Sequence, residues 1–215
     1  MFSSSIKAGT CSGCATPTVI RTNATTGGVS PVSIGDPDPN RIVIVAGGQQ
    51  GSSGVYNPTL NGVAPLILYN GGTTGNGTTF FGIFKIPTGT TATASGMGNP
   101  FLVYSIYGWP NFKVLQFNSF AGGDSLDFSF TSVPLPANTL VLGNWATNED
   151  GDASLKQWNF GVSTRYFFNG GETDAGGAFE LLTTPFPTGR ATVCDSAGKR
   201  RSYGFLAITC GNAFK

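Results

Sequence analysis

Residues 125–131 read SLDFSFT, so that the apolar side chains of Leu126, Phe128 and Phe130 alternate with polar ones. Successive side chains of a β-strand point to opposite faces of the sheet, and this alternation therefore predicts a strand with one dry and one wet face. Short apolar or alternating runs followed by turn residues recur along the chain, which is typical of strands. The runs lie at 18–23, 42–46, 79–86, 90–95, 101–107, 140–146, 162–168, 179–183, 190–194 and 203–210.

Glycine and proline leave little room for helices. The longest window without either residue spans 111–121, and an average helix alone needs about 11 to 12 residues. The pair Asn61-Gly62 favours the positive φ angles of a tight hairpin turn. The segment GDPDPN at 35–40 predicts a stiff turn that ends one strand before Arg41 opens the next.

These patterns predict an all-β protein, an antiparallel two-sheet β-sandwich of the jelly-roll type. The continuous apolar runs 42–46 and 101–107 are typical of central strands covered on both faces, or of strands under a neighbouring subunit. Residues 1–15 are mostly small and polar and predict a short extended N-terminal arm, followed by one domain over 16–215. No internal repeat of fixed period is visible.

The composition is poor in charge, since only 11% of the residues are charged against about 25% in average globular domains. So few charges indicate a surface covered by partner molecules, although Thr, Ser, Asn and Gly also keep a sandwich soluble. The net charge of +1 argues against nucleic acid or an anionic membrane as partner. Residues 1–16 lack the apolar core of a secretory signal, and no run approaches the about 20 apolar residues of a membrane span. We therefore expect synthesis in a cytoplasm without Sec-type export.

The chain has no histidine, which removes the commonest general base and the imidazole ligands of metal sites. The G-x-S-x-G, G-x-G-x-x-G and P-loop motifs are absent as well. Paired carboxylates cleave glycosides without histidine and oxygen-rich loops bind Ca²⁺, but solvated turns are the favoured interpretation of the acidic clusters here. These clusters contain Glu149, Asp150, Asp152, Glu172 and Asp174. We expect no catalytic residues, no cofactor, no metal site and no enzyme activity.

Cys11 and Cys14 have the C-x-x-C spacing of zinc knuckles and redox motifs. Tetrahedral zinc would need a second pair, for which Cys194 and Cys210 are the remaining candidates. Cys210, however, falls on the inward face of its strand and is better interpreted as a buried free thiol. In a particle released into an oxidising medium, Cys11 and Cys14 can instead crosslink subunits. Four scattered cysteines are too few for a disulfide scaffold, so we expect hydrophobic burial to stabilise the fold.

Aromatic side chains allow for sugar binding, because flat rings pack against pyranose faces. The candidates are Trp109, Trp145, Trp158, Tyr56 and Tyr69. Trp109 and Trp145 lie in or beside apolar strands and are expected in the core. Trp158, between two amide side chains, is the candidate for an exposed glycan contact.

Three segments follow one another in an order that is characteristic of a known family. They are NRIVIV at 40–45, the hairpin TLNGVAPL at 59–66 and FKIPTGT at 84–90. They are followed by a strand at 101–109 and a terminal strand at 203–209. This order resembles the concanavalin-like jelly-roll domain of tailed-phage virion proteins and bacterial surface proteins, over residues 15–212. The resemblance implies a binding or structural module without catalytic residues.

Two functions are predicted. The first is a non-enzymatic structural virion protein of a tailed phage, either a capsid decoration protein or a tail, baseplate or fibre subunit. It would assemble in the host cytoplasm and act by packing against copies of itself and other virion proteins. The second is a glycan-binding or host-adhesion module, which would use loops at one end of the sandwich to contact a glycan of the host surface.

Overall fold

The computed structural model describes residues 14–25, 31–49, 55–71, 78–97, 101–121, 125–129, 134–147, 164–169, 174–186, 190–194 and 201–211. Within these ranges the secondary structure consists of antiparallel strands and turns, so the all-β prediction is confirmed. None of the described segments forms a helix of the length and apolar character needed to cross a membrane.

Sixteen strands lie in the described part of the chain. In chain order they are β1 (Thr18–Thr25), β2 (Val32–Ser33), β3 (Ile42–Gln49), β4 (Thr59–Leu60), β5 (Ile67–Gly71), β6 (Thr78–Lys85), β7 (Thr91–Ala92), β8 (Ala94–Ser95), β9 (Phe101–Tyr107), β10 (Phe112–Ala121), β11 (Ser125–Ser129), β12 (Thr139–Thr147), β13 (Thr164–Asn169), β14 (Asp174–Leu182), β15 (Arg190–Cys194) and β16 (Arg201–Cys210).

Each half of the chain builds one five-stranded sheet. The first sheet has the order β1-β9-β3-β6-β5 and uses residues 18–107, whereas the second has the order β10-β16-β12-β14-β13 and uses residues 112–210. All neighbouring strands in both sheets are antiparallel. Three two-stranded ribbons complete the fold, namely β2 with β7, β4 with β8, and β11 with β15.

The two halves repeat one topology. Numbered within its own half, each sheet contains its five strands in the order first, fifth, second, fourth, third. Each half also has a two-stranded ribbon. One of its strands lies between the first and second strands of the sheet in sequence, and the other lies between the fourth and fifth. These ribbons are β2 with β7 and β11 with β15. The offset between corresponding strands varies, from 94 residues between the starts of β1 (18) and β10 (112) to 100 residues between the starts of β9 (101) and β16 (201). The two halves therefore share one strand order.

Apolar side chains between the two sheets form the main core. Alternate residues of β3, β6 and β9 on the first sheet pack with those of β10, β12 and β16 on the second. The fully or almost fully buried members include Ile44, Phe81, Leu142 and Leu206. One polar bond also crosses the core, from the side-chain amide of Asn144 to a main-chain oxygen of β3 at 2.5 Å. The sheets therefore pack face to face.

The outer face of the first sheet carries a second core. Ribbons and connecting segments cover it, so that β3, β6 and β9 are buried on both faces, as predicted for the runs 42–46 and 101–107. The members of this second cluster are Val32, Ile34, Val43, Val45, Tyr56, Leu60, Phe80, Phe84, Ile86, Ala92, Phe101 and Val103.

The two sheets come together along one edge, where β5 lies beside β10. The ring of Tyr69 stacks on that of Phe117 with a centroid distance of 4.4 Å. Burial at this edge raises the pKa of the Tyr69 phenol. A Cβ atom at Gly71 would overlap the side chain of Ser119, so this close approach requires glycine.

Most of the predicted local structure is observed. Asn61 and Gly62 have φ angles of 53° and 74°, and the main chains of Leu60 and Val63 are bonded in both directions across this turn. The segment 125–131 contains β11, with its last two residues outside the described part. The prediction missed β5 and the ten-residue β10, and it merged β7 and β8 into one strand.

Truncation of a leucine tests the face-to-face packing. We expect Leu206→Ala to lower the free energy of unfolding by about 2–5 kcal/mol, because the side chain is fully buried between the sheets. Leu66→Ala is the matched control, since Leu66 is 64% exposed and its truncation should change stability by less than about 0.5 kcal/mol. Equal urea midpoints for both variants would contradict this packing.

Candidate functional site

The candidate site lies at one end of the first sheet, where β9 ends and where β1 and β3 begin. Two surface depressions open there. We call the first depression the groove. It is lined by Thr18, Ile20, Thr22, Ser33, Gly35, Asp36, Pro37, Asp38 and Tyr107. The second, called the hollow, is lined by Ile42, Leu66, Ile67, Lys85, Pro110, Asn111 and Phe112.

A buried arginine organises this end. Arg41 is fully buried, and its guanidinium donates hydrogen bonds to four main-chain oxygens. Its Nε donates to Ile86 at 2.8 Å, and Nη1 donates to Gly35 at 2.7 Å and to Asp36 at 2.6 Å. Nη2 donates to Thr88 at 2.7 Å. The rigid fork of donors thus ties the turn after β2 to the segment after β6.

The turn 35–38 is fixed from several sides. Gly35 has a φ angle of 72°, and a Cβ atom there would overlap the hydroxyl of Tyr107, so glycine is required. That hydroxyl donates to the main-chain oxygen of Asp36 at 3.1 Å. The amide of Asp38 donates to the oxygen of Pro87 at 3.0 Å. Two carboxylates are therefore presented on a backbone that is already ordered.

The groove has a volume of about 550 Å³ and mixes several kinds of surface. Thr18, Ile20 and Thr22 contribute alternate side chains of β1, and Ile20 is 48% exposed. Asp36 and Asp38 add carboxylates on the opposite side. The phenol of Tyr107 adds an aromatic ring. Such a combination of apolar surface with a few polar groups is typical of ligand sites.

An exposed apolar loop borders the hollow. The apolar loop comprises residues 63–66, in which Val63 is 54% and Leu66 is 64% exposed. Main-chain hydrogen bonds hold the backbone of this loop in place. The amide of Leu66 donates to the main-chain oxygen of Ile83 at 2.7 Å, and the amide of Asn61 donates to that of Thr93 at 2.8 Å. The hollow beside it measures about 300 Å³.

A disulfide joins the two ends of the described chain. Cys14 is bonded to Cys210, 196 residues away. The interpretation of Cys210 as a buried free thiol is therefore wrong: its inward position is correct, but it brings the sulfur within reach of the segment before β1. The indole of Trp109, fully buried as predicted, also donates to the oxygen of Ala15 at 3.2 Å. The end of the predicted arm is thus attached to the fold.

The other predicted site residues are only partly described. Trp158 and Cys11 lie outside the described residues, so the glycan contact and the subunit crosslink stay predictions. Cys14 is engaged within the chain, so a crosslink through it would need exchange of this disulfide. Trp145 lies on β12, and Tyr56 and Tyr69 pack against Phe80 and Phe117 instead of forming an open sugar platform.

The structure describes little of the acidic clusters that the sequence analysis considered. Glu149, Asp150, Asp152 and Glu172 lie outside it, and Asp174 is placed only as the first residue of β14. Burial raises the pKa of Glu180 above its ordinary value. Among the described residues, no three Asp, Glu, Cys or His side chains are grouped so as to hold a metal ion.

Removal of the disulfide tests its contribution to stability. We expect the double variant Cys14→Ser, Cys210→Ser to lose about 2–5 kcal/mol of unfolding free energy, because the bond closes a long loop in the unfolded chain. Urea unfolding with and without dithiothreitol measures this: the reductant should destabilise the wild type and leave the double variant unchanged. A wild type that ignores the reductant, with four free thiols by mass spectrometry, would refute the assignment.

Comparison with known proteins gives no match: no protein-family model, no curated protein and no solved structure is similar to this chain.

Proposed function

We propose that this chain is a non-enzymatic structural subunit of a virion, which acts by packing against copies of itself and other virion proteins. The observation that carries the proposal is the apolar loop 63–66, which is exposed although its backbone is fixed. The finer assignment, a capsid decoration protein or a tail, baseplate or fibre subunit of a tailed phage, belongs to the same proposal.

The apolar loop has the character of a contact surface. Val63 and Leu66 leave more than half of their surface in water, and Ala64 between them is exposed as well. Exposed apolar surface that is contiguous marks sites of protein contact. Because the hydrogen bonds of the loop already order it, binding costs little conformational entropy.

The hollow next to the loop supports the same interpretation. Its apolar lining, with Ile67, Pro110 and Phe112, can accept a partner's side chain. Polar groups stand at its margin, where the ammonium of Lys85 donates to the oxygen of Pro110 at 3.0 Å. An apolar centre with a polar rim is the usual anatomy of a protein–protein interface.

The disulfide and the composition support a particle that persists outside cells. A bond between Cys14 and Cys210 is typical of proteins that work in oxidising surroundings, and it fits a virion after release. The low charge content of 11% fits a surface that is partly covered by neighbours. The jelly-roll type is also part of the proposal, and pairing of strands distant in sequence, such as β1 with β9, supports it.

Charge placed in the apolar loop tests the proposal. We expect the wild-type chain to form a defined oligomer in multi-angle light scattering, because burial of Val63 and Leu66 drives association. The double variant Val63→Asp, Leu66→Asp should be monomeric over the same concentration range, with at least about a hundredfold weaker association, since two charges would have to be desolvated.

Val55→Asp is the matched control. Val55 is 68% exposed but lies outside the apolar loop, so the control should assemble like the wild type. A wild type that stays monomeric at all concentrations, or a double variant that assembles as well as the control, would contradict the role of the loop.

A further inference from the structure

The outer face of the first sheet has a gap in its cover. Val43 and Phe84, on the central strands, are buried under the ribbons, whereas Ile20 on the edge strand β1 is 48% exposed. Ile20 pairs with Ser105, which in turn pairs with Val43, so all three lie on this outer face. The groove is thus a place where the outer face of the first sheet meets water.

The ring of Tyr107, at the end of β9, is part of the lining of the groove. Its hydroxyl donates to the main-chain oxygen of Asp36 at 3.1 Å, which holds the ring beside the turn 35–38. Because Tyr107 is only half-buried, the ring adds accessible aromatic surface to the groove.

We propose that the groove binds a saccharide without acidic groups. Carboxylates accept hydrogen bonds and cannot donate them when ionised, so Asp36 and Asp38 suit the many hydroxyl donors of a sugar. The ring of Tyr107 and the side chain of Ile20 offer apolar surface to the C–H faces of a pyranose. The volume of about 550 Å³ lies within the range of about 300–1,000 Å³ that is usual for ligand sites.

Charge selects among saccharides. The guanidinium of Arg41 lies behind the turn and is occupied by four main-chain oxygens. The carboxylates of Asp36 and Asp38 line the groove itself. Sialylated or sulfated sugars would be repelled, whereas neutral sugars are accepted and amino sugars are favoured.

The position of the groove favours a saccharide over an added peptide strand. Peptides that extend a sheet bind through main-chain groups along the edge. The groove is instead lined by Thr18, Ile20 and Thr22, alternate side chains on the face of β1. The turn opposite is fixed by Arg41 and by the Tyr107 hydroxyl, so the site is ordered before a ligand arrives.

A glycan array probed with the labelled, oxidised full-length chain tests the proposal. We expect retention on neutral or amino glycans and none on their sialylated or sulfated counterparts. Calorimetry with the best oligosaccharide then compares variants. Tyr107→Thr, which removes the ring, should bind at least about tenfold more weakly. Tyr107→Phe keeps the ring, and Arg41 still holds the turn, so this variant should stay within about threefold of the wild type. Asp36→Asn should weaken binding and reduce the discrimination against acidic glycans.

The variant Val63→Asp, Leu66→Asp is the control that separates this proposal from assembly, because it should bind the oligosaccharide like the wild type whether or not it associates. Urea midpoints show that each variant is folded. The proposal is overturned if no saccharide is retained by the wild type, if Tyr107→Thr binds as well as Tyr107→Phe, or if only acidic glycans bind. It is equally overturned if a lysine-rich peptide occupies the groove and no saccharide competes with it.

Discussion

Apolar burial between the two five-stranded sheets is the interaction on which the rest of the structure depends. Each sheet exposes an apolar inner face that its own half of the chain cannot cover, and the two inner faces cover each other. The disulfide adds a covalent bond between the segment before β1 and the end of β16, so it ties the first half to the second.

Burial on the outer face of the first sheet determines which surfaces of the candidate site stay open. The central strands are sealed under ribbons, and Arg41 holds the covering segments by bonds to four main-chain oxygens. The cover ends at β1, which leaves the groove, and at the turn after Asn61-Gly62, which leaves the apolar loop. The proposed assembly and the proposed sugar binding would therefore use separate surfaces at one end of the first sheet. A virion subunit that also contacts a host glycan would combine both.

The sequence predicted the local elements for physical reasons. Alternation identified β11, continuous apolar runs identified strands buried on both faces, and Asn61-Gly62 identified a turn with positive φ angles. The strand β10 was missed because its register shifts between Val114 and Gln116, which interrupts the alternation of its side chains. The repeated strand order left only faint marks in the sequence, such as Pro-Thr-Gly at both 87–89 and 187–189, because the connections between the strands differ in length.

The candidate site was harder to predict than the fold. The groove combines residues from β1, the turn 35–38 and the end of β9, and no local pattern places Tyr107 beside Asp36. The pairing of Cys14 with Cys210 spans 196 residues and follows only from the topology. The burial of Arg41 was equally hidden, because an arginine before an apolar run is ordinarily a solvated strand end. The functional roles that the sequence predicts, in assembly and in glycan contact, stay predictions.

Native-state hydrogen exchange tests the central claim most directly, namely that the two halves share one core. The slowest amides should lie in β3 and β9 of the first sheet and in β12 and β16 of the second. Their opening free energies should be equal to one another and to the free energy of global unfolding. Central strands of one half that open at a much lower free energy than those of the other would show that the halves are stable separately, and would contradict the shared core.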